Sequence, residues 1–179
     1  LVSNLLDLGR IEAGVGLQLE MVSAIEIADE AILALRLQAA QKRIQLITDI
    51  PDTINLNLEA DRALLQQALR NLLDNAIKYS RVDSTVDLVV KAENKEVIFQ
   101  VSDHGLGISP MDLPRLFEKF YRGAKQGGKD QRGTGLGLAI VKSIAEKHGG
   151  KAWAESELGK GSIFYLAIPI RQTRSGIEN

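Results

Sequence analysis

The segment 65–80 has helical periodicity, and three of its polar residues lie together at the edge of the apolar stripe. At about 100° per residue, Asn71, Asn75 and Lys78 fall within roughly 60° of one another, and Tyr79 is adjacent. An amide oxygen can ligate Mg²⁺, and a lysine ammonium is a point charge for phosphate. The residues alone leave two interpretations open: a metal and phosphate site, or the solvated flank of an ordinary helix.

A second candidate site is the turn SDHGLGIS (102–109). Asp103 ends an apolar strand pattern, and Gly105 and Gly107 follow it. A carboxylate there could accept a hydrogen bond from an exocyclic amine such as that of adenine, and glycines would let a flat ring approach the backbone. A plain turn capped by an aspartate is the alternative. We interpret His104 as an exposed turn residue and His148 as a contact with a helix C-terminal dipole, rather than as catalytic bases.

A third candidate is the stretch RGTGLGLAIVKSIAEKHGG (132–150), in which Gly133, Gly135 and Gly137 precede a helical pattern. Glycines before a helix N-terminus favour the close approach of an anion to backbone N–H groups. The stretch lacks the Gly-Lys-Ser/Thr of a P-loop, and its third glycine comes one residue early for a dinucleotide fingerprint. By itself it is a weak indication of nucleotide binding.

The composition narrows the classes of function. The 179 residues carry a formal net charge of −1, with no cysteine and two histidines. The net charge excludes a positive electrostatic field that would attract nucleic acid or anionic lipid. The lack of cysteine excludes disulfides and thiolate metal sites, and two histidines are too few for a histidine-rich zinc site. No apolar run approaches the roughly 20 residues of a membrane span. We expect a cytoplasmic piece of a longer protein.

The patterns also predict the elements that position these residues. The predicted elements are a helix over 1–13, a strand over 17–22, a helix from the capping box at Ser23 to Lys42, a strand over 44–50, a short alternating segment, a helix capped by Asp61 and ending at Ser80, a hairpin over 85–103, a short helix over 110–118, a helix over 136–148 and a hairpin turning at 159–161. Residues 122–134 lack periodicity and predict a mobile loop. The predicted fold class is α+β: a two-layer sandwich whose mixed, mostly antiparallel sheet has its helices on one face.

Taken together, the motifs resemble those of one family: the catalytic, ATP-binding domain of two-component sensor histidine kinases, in the Bergerat-fold ATPase superfamily. NLLDNAIKYS resembles the N box, DHGLGI the first glycine box, FEKFYRG the F box, GTGLGLAI the second glycine box and GKGSIF the last glycine motif. The opening LLDLGRIEAG resembles the end of the second helix of the family's dimerisation and phosphoacceptor domain. The resemblance implies three parts: 1–14 from that helix, a catalytic domain over 15–170 with a lid over 122–134, and a polar tail over 171–179.

The resemblance implies roles for the helical polar set. Asn75 would ligate Mg²⁺, and Asn71, one turn earlier, would help to order the metal shell. Lys78 would contact phosphate, and Tyr79 would pack near the nucleotide base. Many ATPases of the superfamily have a glutamate at the position of Asn71 that activates water. An amide cannot act as a base, so this chain resembles the kinases more than the hydrolases.

The resemblance implies roles for the turns as well. Asp103 would bind the adenine amino group, supported by Ser162, and Arg122 would reach the terminal phosphate. Phe117 and Phe120 would anchor the base of the lid. The remaining residues implied in nucleotide binding are Gly105, Gly107 and Ile108 around the adenine, and Gly133, Thr134, Gly135, Leu136, Gly137 and Leu138 on the phosphate side.

The implied function is transfer of the terminal phosphoryl group of ATP·Mg²⁺ to a histidine on the phosphoacceptor domain of the same protein. A response regulator receiver domain would be the next partner, and nucleic acid would not be one. The full-length protein would be a homodimer, free or anchored to a membrane, and this fragment a monomer or a weak dimer acting only in trans. Two other readings stay open: another ATPase of the superfamily, such as a clamp ATPase or an anti-sigma-factor kinase, and an ATP-binding module without transfer activity.

Overall fold

The computed structural model describes residues 2–14, 16–50, 56–123 and 133–172. Within these ranges the elements are α1 (Val2–Glu12), β1 (Leu19–Ser23), α2 (Ala24–Gln41), β2 (Gln45–Asp49), β3 (Asn57–Asp61), α3 (Arg62–Tyr79), β4 (Thr85–Glu93), β5 (Glu96–Asp103), α4 (Gly137–Lys147), β6 (Lys151–Glu157) and β7 (Gly161–Pro169). Residues 124–132 of the predicted lid and 173–179 of the predicted tail lie outside the described residues.

The main sheet has five strands in the order β2-β4-β5-β7-β6. β2 runs parallel to β4, and the other neighbours are antiparallel. Alternate residues of the central strands are buried, such as Val86, Leu88 and Val90 in β4, and α2, α3 and α4 all contact strands of this sheet. One face of the sheet thus packs against the helices, which confirms the predicted α+β class with a mixed, mostly antiparallel sheet.

Side-chain caps begin the two long helices where the sequence predicts them. The Ser23 hydroxyl accepts a hydrogen bond from the Glu26 N–H at 3.3 Å, and the Asp61 carboxylate accepts one from the Leu64 N–H at 3.2 Å. Each cap satisfies a backbone donor that the first helical turn leaves without a partner. Asp61 also ends β3, so α3 begins directly at a strand end.

The β4–β5 hairpin turns at Asn94 and Lys95, as predicted. Both residues have positive φ, 51° and 66°, as the two central residues of a type I′ turn require. The short alternating segment before Asp61 becomes β3, which pairs with β1 in a separate two-stranded sheet.

The helix predicted over 110–118 is wrong. Only a 3₁₀ turn over Leu113–Arg115 forms there. The Asp112 N–H donates to the Ser109 hydroxyl at 3.1 Å, as at a helix N-cap, but the Tyr121 hydroxyl donates to the Asp112 carboxylate. The chain therefore turns back toward Asp112 after the 3₁₀ turn instead of continuing as a helix. Among the described helices, none combines the length and the apolarity needed to cross a bilayer.

The opening helix α1 packs on α4 and buries Leu8 and Ile11. Its other contacts are polar: the Asn4 amide donates to the Thr134 hydroxyl at 3.1 Å, and Glu12 pairs with Lys119 at 2.6 Å. α1 therefore contacts both segments that flank residues 124–132.

Candidate functional site

The C-terminal half of α3 presents its polar set toward the glycine loop before α4. Asn71 Nδ2 donates to the Gly137 carbonyl at 3.3 Å. A Cβ built on Gly133 would lie 2.6 Å from Lys78 Nζ, so the ammonium sits directly against that glycine. Asn71, Asn75 and Lys78 are all half-buried. The structure thus brings the first and third sequence motifs together, as their combined interpretation predicts.

Positive charge is concentrated at this contact. Burial lowers the pKa of Lys78; Asp74 opposes that shift, and the positive charge of Arg122 lowers the pKa further. Lys78 Nζ also lies 5.6 Å from the centre of the Tyr79 ring, and Arg122 is exposed. Two cations that disfavour each other and border one loop can be stabilised by a bound anion.

The helix α4 begins at the same place. Its N-terminal residues follow Leu136, and the first-turn N–H groups of a helix have no intrahelical acceptor, so they suit an anion. The Leu136 side chain itself is fully buried in the core, and Leu138 packs against that core. Of these two predicted site residues, Leu136 can therefore meet a ligand only through its backbone.

The F box is joined directly to the glycine loop. The Phe120 N–H donates to the Gly135 carbonyl at 2.8 Å, and a Cβ on Gly135 would lie 2.9 Å from the Phe120 backbone. Both residues have positive φ, 70° at Gly135 and 62° at Phe120, which is unusual for a bulky side chain. The Phe120 ring is exposed, whereas Phe117 packs against the core.

Asp103 lies at the end of β5, opposite Ser162 of β7, and is almost completely buried. Its Oδ1 accepts a hydrogen bond from the Gly105 N–H at 2.9 Å. Burial raises the pKa of this carboxyl, while the Gly105 and Ser162 backbone groups and the charges of His104 and Lys42 oppose the shift. A buried carboxylate held by backbone donors is a strong, fixed hydrogen-bond acceptor.

The glycines after Asp103 have a structural reason beyond room for a ligand. A Cβ on Gly105 would lie 2.3 Å from the Tyr79 carbonyl oxygen, and one on Gly107 would lie 2.1 Å from the Glu157 carbonyl oxygen. Ser80 also pairs with Gly105 in an isolated antiparallel bridge. The turn is therefore fixed against the end of α3 and against β6.

Sequence reasoning missed Ser156, which connects three parts of this region. Its hydroxyl donates to the Gly161 carbonyl at 2.8 Å and accepts from the Ile108 N–H at 2.8 Å. It also lies 2.9 Å from the Ser162 hydroxyl, which must be the donor because the Ser156 hydrogen is already used. Gly161 and Ser162 lie in the same hairpin as Ser156, but Ile108 is 48 residues away, so no local pattern could have indicated the link to the turn after Asp103.

The two histidines lie outside this site. His104 is exposed and lies 3.2 Å from the Asp87 carboxylate, as expected of a turn residue. His148 is fully buried: Nδ1 bonds the Ile144 carbonyl at 2.8 Å, and Nε2 lies 3.0 Å from the Asp61 N–H. Burial lowers the pKa of His148, so it meets the end of α4 as a neutral ring rather than as a charge on the dipole.

The described part of the chain holds no cluster of three or more histidine and acidic residues that could bind a metal ion unaided. Asn71 and Asn75 offer amide oxygens instead. Because the Nδ2 of Asn71 is engaged with Gly137, its Oδ1 is the atom left for a metal shell. This donor set suits a cation that shares its ligands with phosphate oxygens.

A family model described as "Histidine kinase-, DNA gyrase B-, and HSP90-like ATPase" matches residues 60–172. The circadian input-output histidine kinase CikA of Synechococcus elongatus is 39% identical over 99% of this chain and 24% of its own length. The sensor-like histidine kinase SenX3 of Mycobacterium tuberculosis is 38% identical over 94% of this chain and 41% of its own length. The chain thus spans less than half of these relatives.

Solved structures agree with the sequence relatives. Full-length ShkA in complex with AMPPNP superimposes with a TM-score of 0.83 at 28% identity, covering 97% of this chain and 36% of ShkA. The mycobacterial sensor histidine kinase MprB superimposes with a TM-score of 0.75 at 27% identity, covering 86% of this chain and all of the MprB chain.

Proposed function

We propose a function for this chain from its family. The chain belongs to the histidine kinase-, DNA gyrase B- and HSP90-like ATPases, as a catalytic domain, and its named relatives are sensor histidine kinases. It binds ATP with Mg²⁺ and transfers the terminal phosphoryl group to a histidine. The adenine lies at the base end, which we define as Asp103, Gly105, Ser156 and Ser162. The phosphates lie at the phosphate end, defined as Lys78, Arg122 and residues 133–137.

The observation that carries this proposal is the contact of Lys78 with Gly133. It places an ammonium from α3 against the loop that precedes α4, so a lysine and a helix N-terminus converge although the loop itself has no P-loop lysine. The charge of Arg122 acts on the same ammonium. A triphosphate complements the positive charge of all of these groups.

The base end fits the other part of the nucleotide. The Asp103 carboxylate accepts the adenine amino group, and its Gly105 hydrogen bond keeps it oriented. The buried Ser80 hydroxyl, beside Gly105, has no hydrogen-bond partner within the described ranges. A bound nucleotide can supply the hydrogen bond that this hydroxyl lacks. Tyr79, partly exposed next to these residues, packs against the base.

Mg²⁺ would be held by the Asn75 amide oxygen and by phosphate oxygens, with Asn71 ordering the shell. When bound, it neutralises charge on the phosphates during transfer. In the reaction, a ring nitrogen of the acceptor histidine forms a bond to the terminal phosphorus, and the bond from that phosphorus to the bridging oxygen breaks, releasing ADP. Lys78 and Arg122 stabilise the charge on the transferred group, so positioning and electrostatics dominate the catalysis.

The acceptor histidine belongs to another domain. Both ring nitrogens of His148 are engaged in the core, and His104 lies in the turn that follows Asp103. The named relatives are longer histidine kinases, which supports a phosphoacceptor domain in the same protein. The proposal also includes a homodimer and a response regulator as the next partner. We propose a cytoplasmic location for this domain.

A transfer assay tests the function. The chain is mixed with a separately produced phosphoacceptor domain of its own full-length protein and with ATP labelled at the terminal phosphate. We expect label on the acceptor domain and none on this chain alone. Free phosphate without labelled protein would instead indicate a hydrolase of the superfamily, and neither product would indicate a binding module.

A further inference from the structure

Lys42 connects two helices at the edge of the proposed nucleotide site. It is the C-cap residue of α2, and its own N–H bonds the Ala39 carbonyl at 3.1 Å. Its side chain then crosses to the end of α3. There, Nζ donates to the Ile77 carbonyl at 2.8 Å and to the Lys78 carbonyl at 2.6 Å.

These two carbonyls lack partners within their own helix because α3 ends at Tyr79. The Ser80 N–H satisfies the Ala76 carbonyl at 2.9 Å, and Lys42 satisfies the next two. An ammonium is the favoured group at this position, since the C-terminus of a helix carries partial negative charge. The last turn of α3 is thus completed by a residue of another helix.

That turn carries the groups on which the site depends. The ammonium of Lys78 lies against Gly133, and the carbonyl of Tyr79 lies where it excludes any side chain at Gly105. The charge of Lys42 also acts on the Asp103 carboxyl. Lys42 therefore supports residues at both ends of the proposed site. It precedes the residues matched by the family model, 60–172.

We propose that Lys42 is a positioning residue for nucleotide binding: by holding the Ile77 and Lys78 carbonyls, it fixes the last turn of α3 against the glycine loop and the Asp103 turn. This inference rests on the proposed function. The ammonium need not touch the nucleotide, because it acts through the backbone of Lys78 and Tyr79.

Three variants test this role by calorimetric titration with MgATP. Lys42→Met keeps the apolar stem and removes the donors, and Lys42→Arg restores two donors on a charged group. Arg43→Met is the matched control: it removes the surface ion pair of Arg43 with Asp83, whose shortest contact is 2.6 Å, and leaves α3 untouched. All are compared at a temperature at which circular dichroism shows them fully folded.

We expect Lys42→Met to weaken MgATP binding about 5- to 10-fold, which corresponds to about 1–1.4 kcal/mol. The MgATP affinities of Lys42→Arg and Arg43→Met should both lie within about twofold of the wild-type affinity, since each variant retains the two hydrogen bonds to the carbonyls of α3. Should Lys42→Met fail to fold, Lys42→Gln replaces it; its shorter, neutral side chain loses the same pair of contacts.

The outcomes distinguish a failure of the positioning role of Lys42 from a failure of the proposed function. Wild-type protein that does not bind MgATP overturns the proposed function and this role with it. Binding by the wild type and equally well by Lys42→Met overturns only the positioning role. An unrescued Lys42→Arg, or an equal loss in Arg43→Met, also overturns it, because the effect would then be general destabilisation.

Discussion

The two ends of the proposed site are held in different ways. At the base end, Asp103 and Ser162 face each other in the register of two central strands, and both are buried. At the phosphate end, Lys78, Arg122 and Gly133 come from a helix end and from loops, and Arg122 and Gly133 are exposed. The sheet thus fixes one acceptor before a ligand arrives, whereas charged groups on less constrained segments can adjust to a ligand. We infer that the base end sets which nucleotide binds and the phosphate end sets how its phosphates are oriented.

The largest expected effect is at the base end. Asp103→Asn should weaken ATP and ADP binding alike, by about 100-fold, because a charged hydrogen bond of about 1.5–3 kcal/mol is replaced by an amide N–H that opposes the adenine amine. Calorimetry with both nucleotides measures this. Asp87→Asn, on the neighbouring strand, is the control and should bind normally. Unchanged affinity in Asp103→Asn would remove Asp103 from the base end.

At the phosphate end, Lys78→Met should affect nucleotides unequally. We expect about a tenfold loss for ATP and little change for adenosine, because only the phosphates meet the ammonium. Titrations with ATP, ADP and adenosine give the ratio. Lys119→Met, which loses an exposed pair with Glu12, is the control. An equal loss for ATP and adenosine would contradict the division into two ends.

A glycine of the loop can be compared with a glycine of α1, outside the proposed site. Gly135→Ala should weaken ATP binding about fivefold, because the residue has a left-handed backbone and a Cβ there meets the Phe120 backbone. Gly9→Ala, in α1 and outside the proposed site, should bind almost normally, since a Cβ at Gly9 would have nothing within 4 Å among the described residues beyond its own helix. Equal effects of the two substitutions would show that the join between Phe120 and Gly135 does not shape the phosphate end.

The smallest expected effect concerns stability. Because burial raises the pKa of Asp103, its carboxyl binds a proton more tightly in the folded protein than in the unfolded chain. At neutral pH, where this carboxyl is ionised, it therefore lowers the free energy of unfolding. Asp103→Asn should therefore be more stable than the wild type at pH 7, and this advantage should shrink as the pH falls towards about 4. Urea unfolding of both proteins across this range measures the difference. An advantage that grows with acid would contradict the sign.

The strands and helices could be predicted because their periodicity is local. The stripe of α3, the caps at Ser23 and Asp61 and the turn at Asn94 all depend on residues within one or two turns of each other. The helix predicted over 110–118 is wrong because the chain turns back after Arg115, where the Tyr121 hydroxyl meets the Asp112 carboxylate. Periodicity does not record such a contact.

Only part of the proposed site could be predicted, for the same reason. The motif residues around Asp103 and Lys78 could be recognised, but not the contacts that fix them. Lys42 bonds carbonyls 35 and 36 residues away, and Ser156 bonds the Ile108 N–H 48 residues away. A left-handed Phe120 could not be expected either, since a bulky side chain rarely adopts that backbone.

The most direct test of the nucleotide site is a titration of the isotopically labelled chain with Mg²⁺ and AMPPNP, followed by amide NMR. We expect the largest shifts at both ends together, at Gly105 and Ser162 and at Lys78 and Gly135. Small shifts are expected on the open face of the sheet, where Trp153 stacks on Tyr165. Shifts centred on that open face, with the Gly105 and Lys78 resonances unchanged, would contradict the proposed nucleotide site.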